Sequence, residues 1–280
     1  MTADPRYVIA RRVLLDALQV LDDQLDAIVL VGAQAVYLRT GEADISVAPY
    51  TTDGDLAVDS DKLRPSPLLD DLMSRLFEPK SGAGDAREPG IWIQTVRING
   101  ENFEVPIDLI VPEGIAPPGG TRGARLGPHG NRAARKAAGL EAAVVDNDVL
   151  PIPALEPEDG RIVKCRVAGS TALLIAKAHK IQDRLDKSDK PERIVDKDAA
   201  DVYRLMQATP PDLVVATAAN LLTDRRVAEP SRHGLELLRQ QFGARRAPGI
   251  EMAVRSLRLG VPEDRIRAFC VAYVAALEKS

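Results

Sequence analysis

"VGAQAVYLRTGEADISVAPYTTDGDLAVD", Val31 to Asp59, is the stretch whose reading decides the fold. It begins at the end of a short β-rich run, "AIVLV" (Ala27 to Val31), which Gly32 closes; the small residues Ala33 and Ala35 then open a helix through Arg39. A short continuous apolar run bounded by glycine reads as a buried strand, and the glycine allows a tight turn at its end. After a loop punctuated by Pro and Gly, "GDLAVD" reads as a second strand. Strand, turn, helix and strand within thirty residues point to an α/β fold.

Working outward, apolar residues Val8, Ile9, Val13, Leu14, Leu18 and Leu21 recur every three or four positions, which predicts a helix from Tyr7 to Leu25 with one buried face. "SPLLDDLMSRLF" reads as a helix started by Ser66 and Pro67. "IWIQTVRING" and "ENFEVPIDLIVP" flank Asn99-Gly100, a strong hairpin signal, so both read as antiparallel strands; Pro106, lacking an N–H, predicts an edge or a bulge. The expected sheet is therefore mixed. Short strands are expected at "EAAVVD" and "RIVKCRV". Beyond Gly169-Ser170 the pattern becomes helical, with breaks at Pro191, Pro210-Pro211, Pro230, Pro248 and Pro262. Two domains follow: residues 1–168, a mixed sheet with flanking helices, and residues 169–280, a helical C-terminal domain completing the cleft.

Composition narrows the function classes. The 280 residues are 45% hydrophobic and 28% charged, ordinary for a folded globular protein. A formal net charge of -4 gives no global sign of a nucleic-acid binder. The charge is unevenly spread, however: residues 114–140 contain no acid, while Arg122, Arg125, Arg132, Arg135 and Lys136 are strung through glycine-rich sequence. Such a loop suits a phosphate backbone, with no aromatic to stack a base, and equally suits a disordered solvated insertion. Cys165 and Cys270 form neither a metal spacing nor a disulfide framework and read as buried apolar residues. Without a signal-like N-terminus or an apolar run of roughly 18 residues, the expectation is a cytoplasmic protein with no membrane partner.

Two carboxylates two apart on a strand project to the same side, so Asp53 and Asp55 would stand together at a separation suited to sharing a divalent cation. Mg2+ offsets their repulsion, prefers oxygen ligands, and keeps waters or phosphate oxygens in its shell. The pair alone suits a solvated turn equally well. Asp108, an acid flanked by apolar residues in "VPIDLIV", would add the third carboxylate of a two-metal arrangement. Gly32 at a helix start offers N–H groups to a phosphate, and also suits tight packing alone. Ser170 can cap a helix on which Lys177, Lys180 and Arg184 share one cationic face, with Asp198 and Asp201 following; a solvated basic face is the alternative.

The small-residue turn, "TTDGDL", "IDLI" and "LLIAKAHKIQDR...DKDAADVYRL" together resemble the AbiEii-type nucleotidyltransferase toxins, which include the MenT group, within the DNA polymerase β-like nucleotidyltransferase superfamily. The resemblance spans roughly residues 27 to 206. It implies a nucleotidyltransferase that moves a nucleoside monophosphate from an NTP to an acceptor, the 3' end of tRNA for some members, with Mg2+ or Mn2+ as cofactor and an antitoxin as partner. It implies catalytic roles for Asp53, Asp55, Lys177 and Asp198, metal ligation by Asp53, Asp55 and Asp108, and nucleotide contacts from Gly32, Ala33, Thr51, Thr52, Lys180, Arg184 and Asp201. Ala33 departs from the Ser or Thr common after the family's glycine, which leaves a hydroxyl contact to Thr51 or Thr52 or removes it. Two other readings stay open: transfer to a protein or antibiotic hydroxyl, and a silent nucleotide- or RNA-binding module.

Overall fold

The computed structural model describes residues 4–41, 50–82, 86–98, 100–186 and 196–279. Asn99 and Pro191, both named above, lie outside them. The described chain forms a mixed α/β structure with a helical C-terminal region, in two compact units whose division is not a single cut. The expected boundary near 168 coincides with the last transition, but 138–146 and the described residues from Val36 to Gly41 group with the helical unit. Helix α2 (Gly32–Thr40) thus begins in one unit and ends in the other.

The first unit is built on one eight-stranded sheet. Its strands are β1 (Ile28–Val31), β2 (Gly54–Val58), β3 (Glu78–Ser81), β4 (Arg87–Ile98), β5 (Glu101–Pro112), β6 (Arg135–Ala137), β7 (Asn147–Pro153) and β8 (Ile162–Ala168), in the order β3-β4-β5-β2-β1-β8-β7, with β6 pairing β5. β1 runs antiparallel to β2 and parallel to β8, while β2 and β5 are parallel. The four residues of β1 are all buried, as its unbroken apolar run requires. Helix α1 (Pro5–Val20) lies over this centre with Leu14, Leu15 and Leu18 fully buried. Each such side chain contributes about 1.5–3 kcal/mol by leaving water. A Cβ on Gly54 would stand 2.7 Å from Ile107 Cδ1 and 3.4 Å from Leu14 Cδ1, so Gly54 and Ile107 mark the α1 face of β2 and β5. By strand alternation, Asp55 and Asp108 project to the opposite face.

Several expectations change here. Helix α1 ends at Val20, and Asp22–Ala27 forms a 3-10 turn instead of a continuation to Leu25. The helix expected from Ser66 shrinks to α3 (Leu69–Met73), following a cis Ser66-Pro67 bond. Its start is set by a distant residue: the Leu69 N–H donates to Nδ1 of His129 at 3.0 Å, so Nε2 carries the proton and donates to the Arg64 carbonyl at 2.8 Å. The hairpin is present, with Ile98 opposite Glu101. β5 is central and not an edge, yet its ladder with β2 begins only at Ile107, so Pro106 sits where that side has no β2 partner. "EAAVVD" is a 3-10 turn, Glu141–Val144, in place of a strand.

The basic loop is ordered, which removes the disordered alternative. β6 pairs with β5, Ala124 N–H bonds the Ala134 carbonyl, and Trp92 Nε1 donates to the Ala133 carbonyl at 3.2 Å. Gly90, at φ +71°, lets β4 pass the loop: a Cβ there would lie 2.3 Å from Arg135 N and 2.5 Å from the Leu109 carbonyl.

In the second unit α4 (Ser170–Asp186) packs on α5 (Lys197–Ala208) and α7 (Ala228–Phe242). Helices α6 (Pro211–Leu221), α8 (Pro248–Leu257) and α9 (Glu263–Leu277) complete it, and their starts fall at Pro211, Pro248 and just after Pro262. Pro230 does not break the chain but lies in the first turn of α7, where its missing N–H costs nothing. Ser170 is not the cap of α4; Asp146 accepts from Ala172 N at 2.8 Å, and Gly169 leaves room for that carboxylate.

Candidate functional site

The sheet brings two of the three expected metal ligands side by side. Asp55 is in register with Val31 of β1 on one side and with Asp108 of β5 on the other. Asp53 lies one residue before β2, so it belongs to the entering turn and not to the strand. The hydroxyl of buried Thr51 donates to Asp53 Oδ1, and Gln34 Nε2 donates to the Asp53 carbonyl at 2.9 Å. All three acids are half-buried.

Gly32 has a reason that the sequence alone did not supply. Its φ is +70°, and a Cβ on it would lie 2.0 Å from Asp55 Oδ2. The carboxylate therefore rests against the first residue of α2, where the helix dipole favours a negative charge. The Gly32-Ala33 turn expected to cradle a phosphate is thus shared with Asp55. Ala33 is buried, so its side chain is packing material and not a surface contact. Thr52 is half-buried.

Asp108 has a second occupant. Arg135 Nη2 and Nε approach its Oδ2 at 2.6 and 3.2 Å, with side-chain exposures of 30% and 19% for the arginine and the acid. Arg135 is thereby withdrawn from the expected RNA-binding set. Lys136 Nζ donates to the carbonyls of Gly120 at 2.7 Å and Gly119 at 3.4 Å, neutral partners that leave its charge in place. Arg122, Arg125 and Arg132 remain exposed.

Carboxylate oxygens are the donors a hard cation prefers, so the chemistry of Asp53 and Asp55 fits a Mg2+ that fills its shell with water and phosphate oxygens. Among the described residues no group of three His, Cys, Asp or Glu side chains converges closely enough to hold an ion. One of the three expected carboxylates, Asp108, is engaged by the Arg135 guanidinium instead. Full three-carboxylate ligation, as expected from the sequence, would require Arg135 to let go.

The helical residues assemble differently from the cationic face expected of them. Lys177 Nζ donates to Asp198 Oδ1 at 2.8 Å and Asp201 Oδ2 at 2.6 Å, and the three side chains are 5%, 4% and 1% exposed. Arg184 Nη2 adds a 2.7 Å contact to Asp198, and Lys180 stands 3.7 Å from the same carboxylate. Burial alone would lower the Lys177 pKa, but Asp198 and Asp201 outweigh it and hold the ammonium above its ordinary value. Burial would likewise raise Asp198, yet Lys177, Lys180 and Arg184 hold it below the usual carboxylate range. This is a closed ion cluster joining α4 to α5, and its lysine already has two carboxylate partners.

His179 Nε2 donates to the Pro230 carbonyl at 2.9 Å. Trp92 is fully buried, and Tyr50, 39% exposed, accepts from Arg6 at 3.3 Å. Burial raises both thiols, Cys165 and Cys270, to about 12, which makes them inert. Among the described residues no helix is long and apolar enough to cross a membrane.

Sequence reasoning missed Arg11 and Gln34. Both are buried, and Arg11 Nε donates to Gln34 Oε1 at 2.8 Å. Burial pulls the Arg11 guanidinium below its ordinary value. The available signal was a charged residue on the apolar face of α1, four after Tyr7 and three before Leu14.

No family model, no curated protein and no solved structure matches the chain.

Proposed function

We propose that the chain is a metal-dependent nucleotidyltransferase, which transfers a nucleoside monophosphate from an NTP to the 3' acceptor end of tRNA and serves as the toxin of a toxin–antitoxin pair. The observation that carries the reading is the register of Asp55 with Asp108, with Asp53 just before the same strand and Gly32 leaving room for the Asp55 carboxylate. Such close acids have a use where charge must be neutralised and positioned, which is most of what phosphoryl and nucleotidyl transfer require.

Asp53 and Asp55 would hold Mg2+ or Mn2+, with Asp108 joining if Arg135 moves. The ion would supply charge for the triphosphate and acidity for the attacking hydroxyl. Thr51 fixes the Asp53 carboxylate through its hydroxyl. Arg135, once displaced from Asp108, is a cation within reach of the same face. Arg122, Arg125 and Arg132 give the ordered loop the charge to track an RNA backbone, and the lack of stacking aromatics there favours recognition by shape. A cationic antibiotic acceptor would meet repulsion at that loop, which disfavours the small-molecule alternative.

One observation favours a silent nucleotide- or RNA-binding module instead. Lys177 is already committed to Asp198 and Asp201, so the lysine that the resemblance assigns to catalysis is neutralised.

The test is transfer of label from each of four NTPs, with Mg2+, to total tRNA, resolved on denaturing gels. Labelled tRNA that disappears with Asp53→Ala supports the proposal. Label on protein or a small molecule moves the reading to the alternative acceptor. Nucleotide binding without turnover under any metal selects the silent module.

A further inference from the structure

Within the first unit, a chain of hydrogen bonds runs from the interior to the backbone of Asp53. Gln34 Nε2 has two hydrogens and two acceptors: the carbonyls of Ala10 at 3.2 Å and Asp53 at 2.9 Å. Its Oε1 accepts from Arg11 Nε at 2.8 Å. Arg11 in turn donates to the Pro153 carbonyl at 3.1 Å and the Tyr7 hydroxyl at 2.9 Å. Gln34 is 1% exposed and Arg11 2%.

This arrangement has only one working orientation. If the Gln34 amide flipped, its oxygen would face two carbonyls and its NH2 would face a guanidinium, leaving every group buried and mismatched. Arg11 therefore fixes which end of the amide is the donor, and the donor end fixes the Asp53 carbonyl. These three partners of Arg11 are neutral oxygens, so the hydrogen bonds satisfy the guanidinium without supplying a counter-charge. A buried cation of this kind is costly to keep for packing alone. Asp53 lies just outside the ladder of β2, where strand pairing does not hold its backbone, so an added constraint has a purpose there.

We infer that Gln34 is a positioning residue for Asp53, and that Arg11 is the residue that orients Gln34. The inference rests on the reading of Asp53 as a metal ligand. Groups that orient a ligand without touching the metal set its affinity, and their loss typically weakens binding by about 10- to 100-fold.

Two substitutions separate positioning from stability. Gln34→Glu keeps an acceptor for Arg11, now with a full counter-charge, but removes both hydrogens that reach Ala10 and Asp53. Gln34→Met removes acceptor and donors alike. If Gln34 positions Asp53, both variants of the full chain bind Mn2+ more weakly, about tenfold by electron paramagnetic resonance titration, and both exchange the Gly54 and Asp55 amides faster. Gln34→Glu nonetheless unfolds at a higher temperature than Gln34→Met, because it alone pairs with Arg11. The inference is overturned if Gln34→Glu binds Mn2+ and exchanges like the parent while Asp53→Asn loses the metal. If Asp53→Asn binds Mn2+ like the parent, the metal reading of Asp53 fails first, and the amide exchange of the Gln34 variants then reports on positioning alone.

Discussion

Two groups of acids in this chain meet opposite fates. On α5, Asp198 and Asp201 are buried and hold Lys177 between them, with Arg184 closing the outer side. At the sheet, Asp55 and Asp108 on neighbouring strands and Asp53 just before β2 are half-buried, and Arg135 pairs with Asp108. The first group is balanced internally and joins two helices. The second places like charges on neighbouring strands at the end of a sheet, which folding alone does not reward. From sequence both groups were assigned to one site, the sheet acids to metal and the helical residues to nucleotide and catalysis. Burial and the number of cations gathered are what set the two groups apart.

The sharpest way to break that distinction is to remove one cation. Lys177→Met leaves buried Asp201 without its cation and Asp198 with Arg184 and the more distant Lys180, and is expected to cost about 3–5 kcal/mol in denaturant unfolding. Asp53→Asn relieves repulsion on the half-exposed side and is expected to change stability by no more than about 0.5 kcal/mol. Equal effects would erase the contrast.

Gly32→Ala comes next in size. It forces a Cβ to within 2.0 Å of Asp55 Oδ2 and places a side chain at φ +70°. The expected cost is about 1–3 kcal/mol, read by thermal unfolding, together with displacement of the Asp55 carboxylate.

Acid has a smaller, directional effect. Asp198 has a folded pKa below its unfolded value near 4, so its contribution is present above pH ~4 and is lost as pH falls toward the folded value. Lys177 is raised, so its contribution is full below pH ~10 and is lost only as pH climbs through the folded value. Urea midpoints measured across pH should therefore form a plateau that declines below pH ~4, and the decline should shrink in Lys177→Met.

Much of the sheet was legible because its signals are local. β1 is an uninterrupted apolar run, and β4 and β5 announce themselves through Asn99-Gly100. β7 was hidden because Pro151 and Pro153 mask a strand, and only its edge position makes them tolerable. The α3 start was misplaced because its cap is His129, sixty residues away. The nearness of Asp55 and Asp108 was legible from their two strand-like runs, whereas Asp53, expected on the same strand as Asp55, lies one residue before it. The pairing of Arg135 with Asp108 was not legible, since only the return of β6 beside β5 brings them together. Gln34 was hidden for the same reason, its partners being 23 and 19 residues away.

The central claim is that the β2–β5 acids, and not the α5 cluster, receive the metal and nucleotide. Calorimetric titration of the full chain with each Mg2+–NTP, in the parent and in Asp55→Asn, tests it most directly. The expected result is heat of binding for at least one nucleotide in the parent and none in the variant. Undiminished binding by a folded Asp55→Asn protein would contradict the claim.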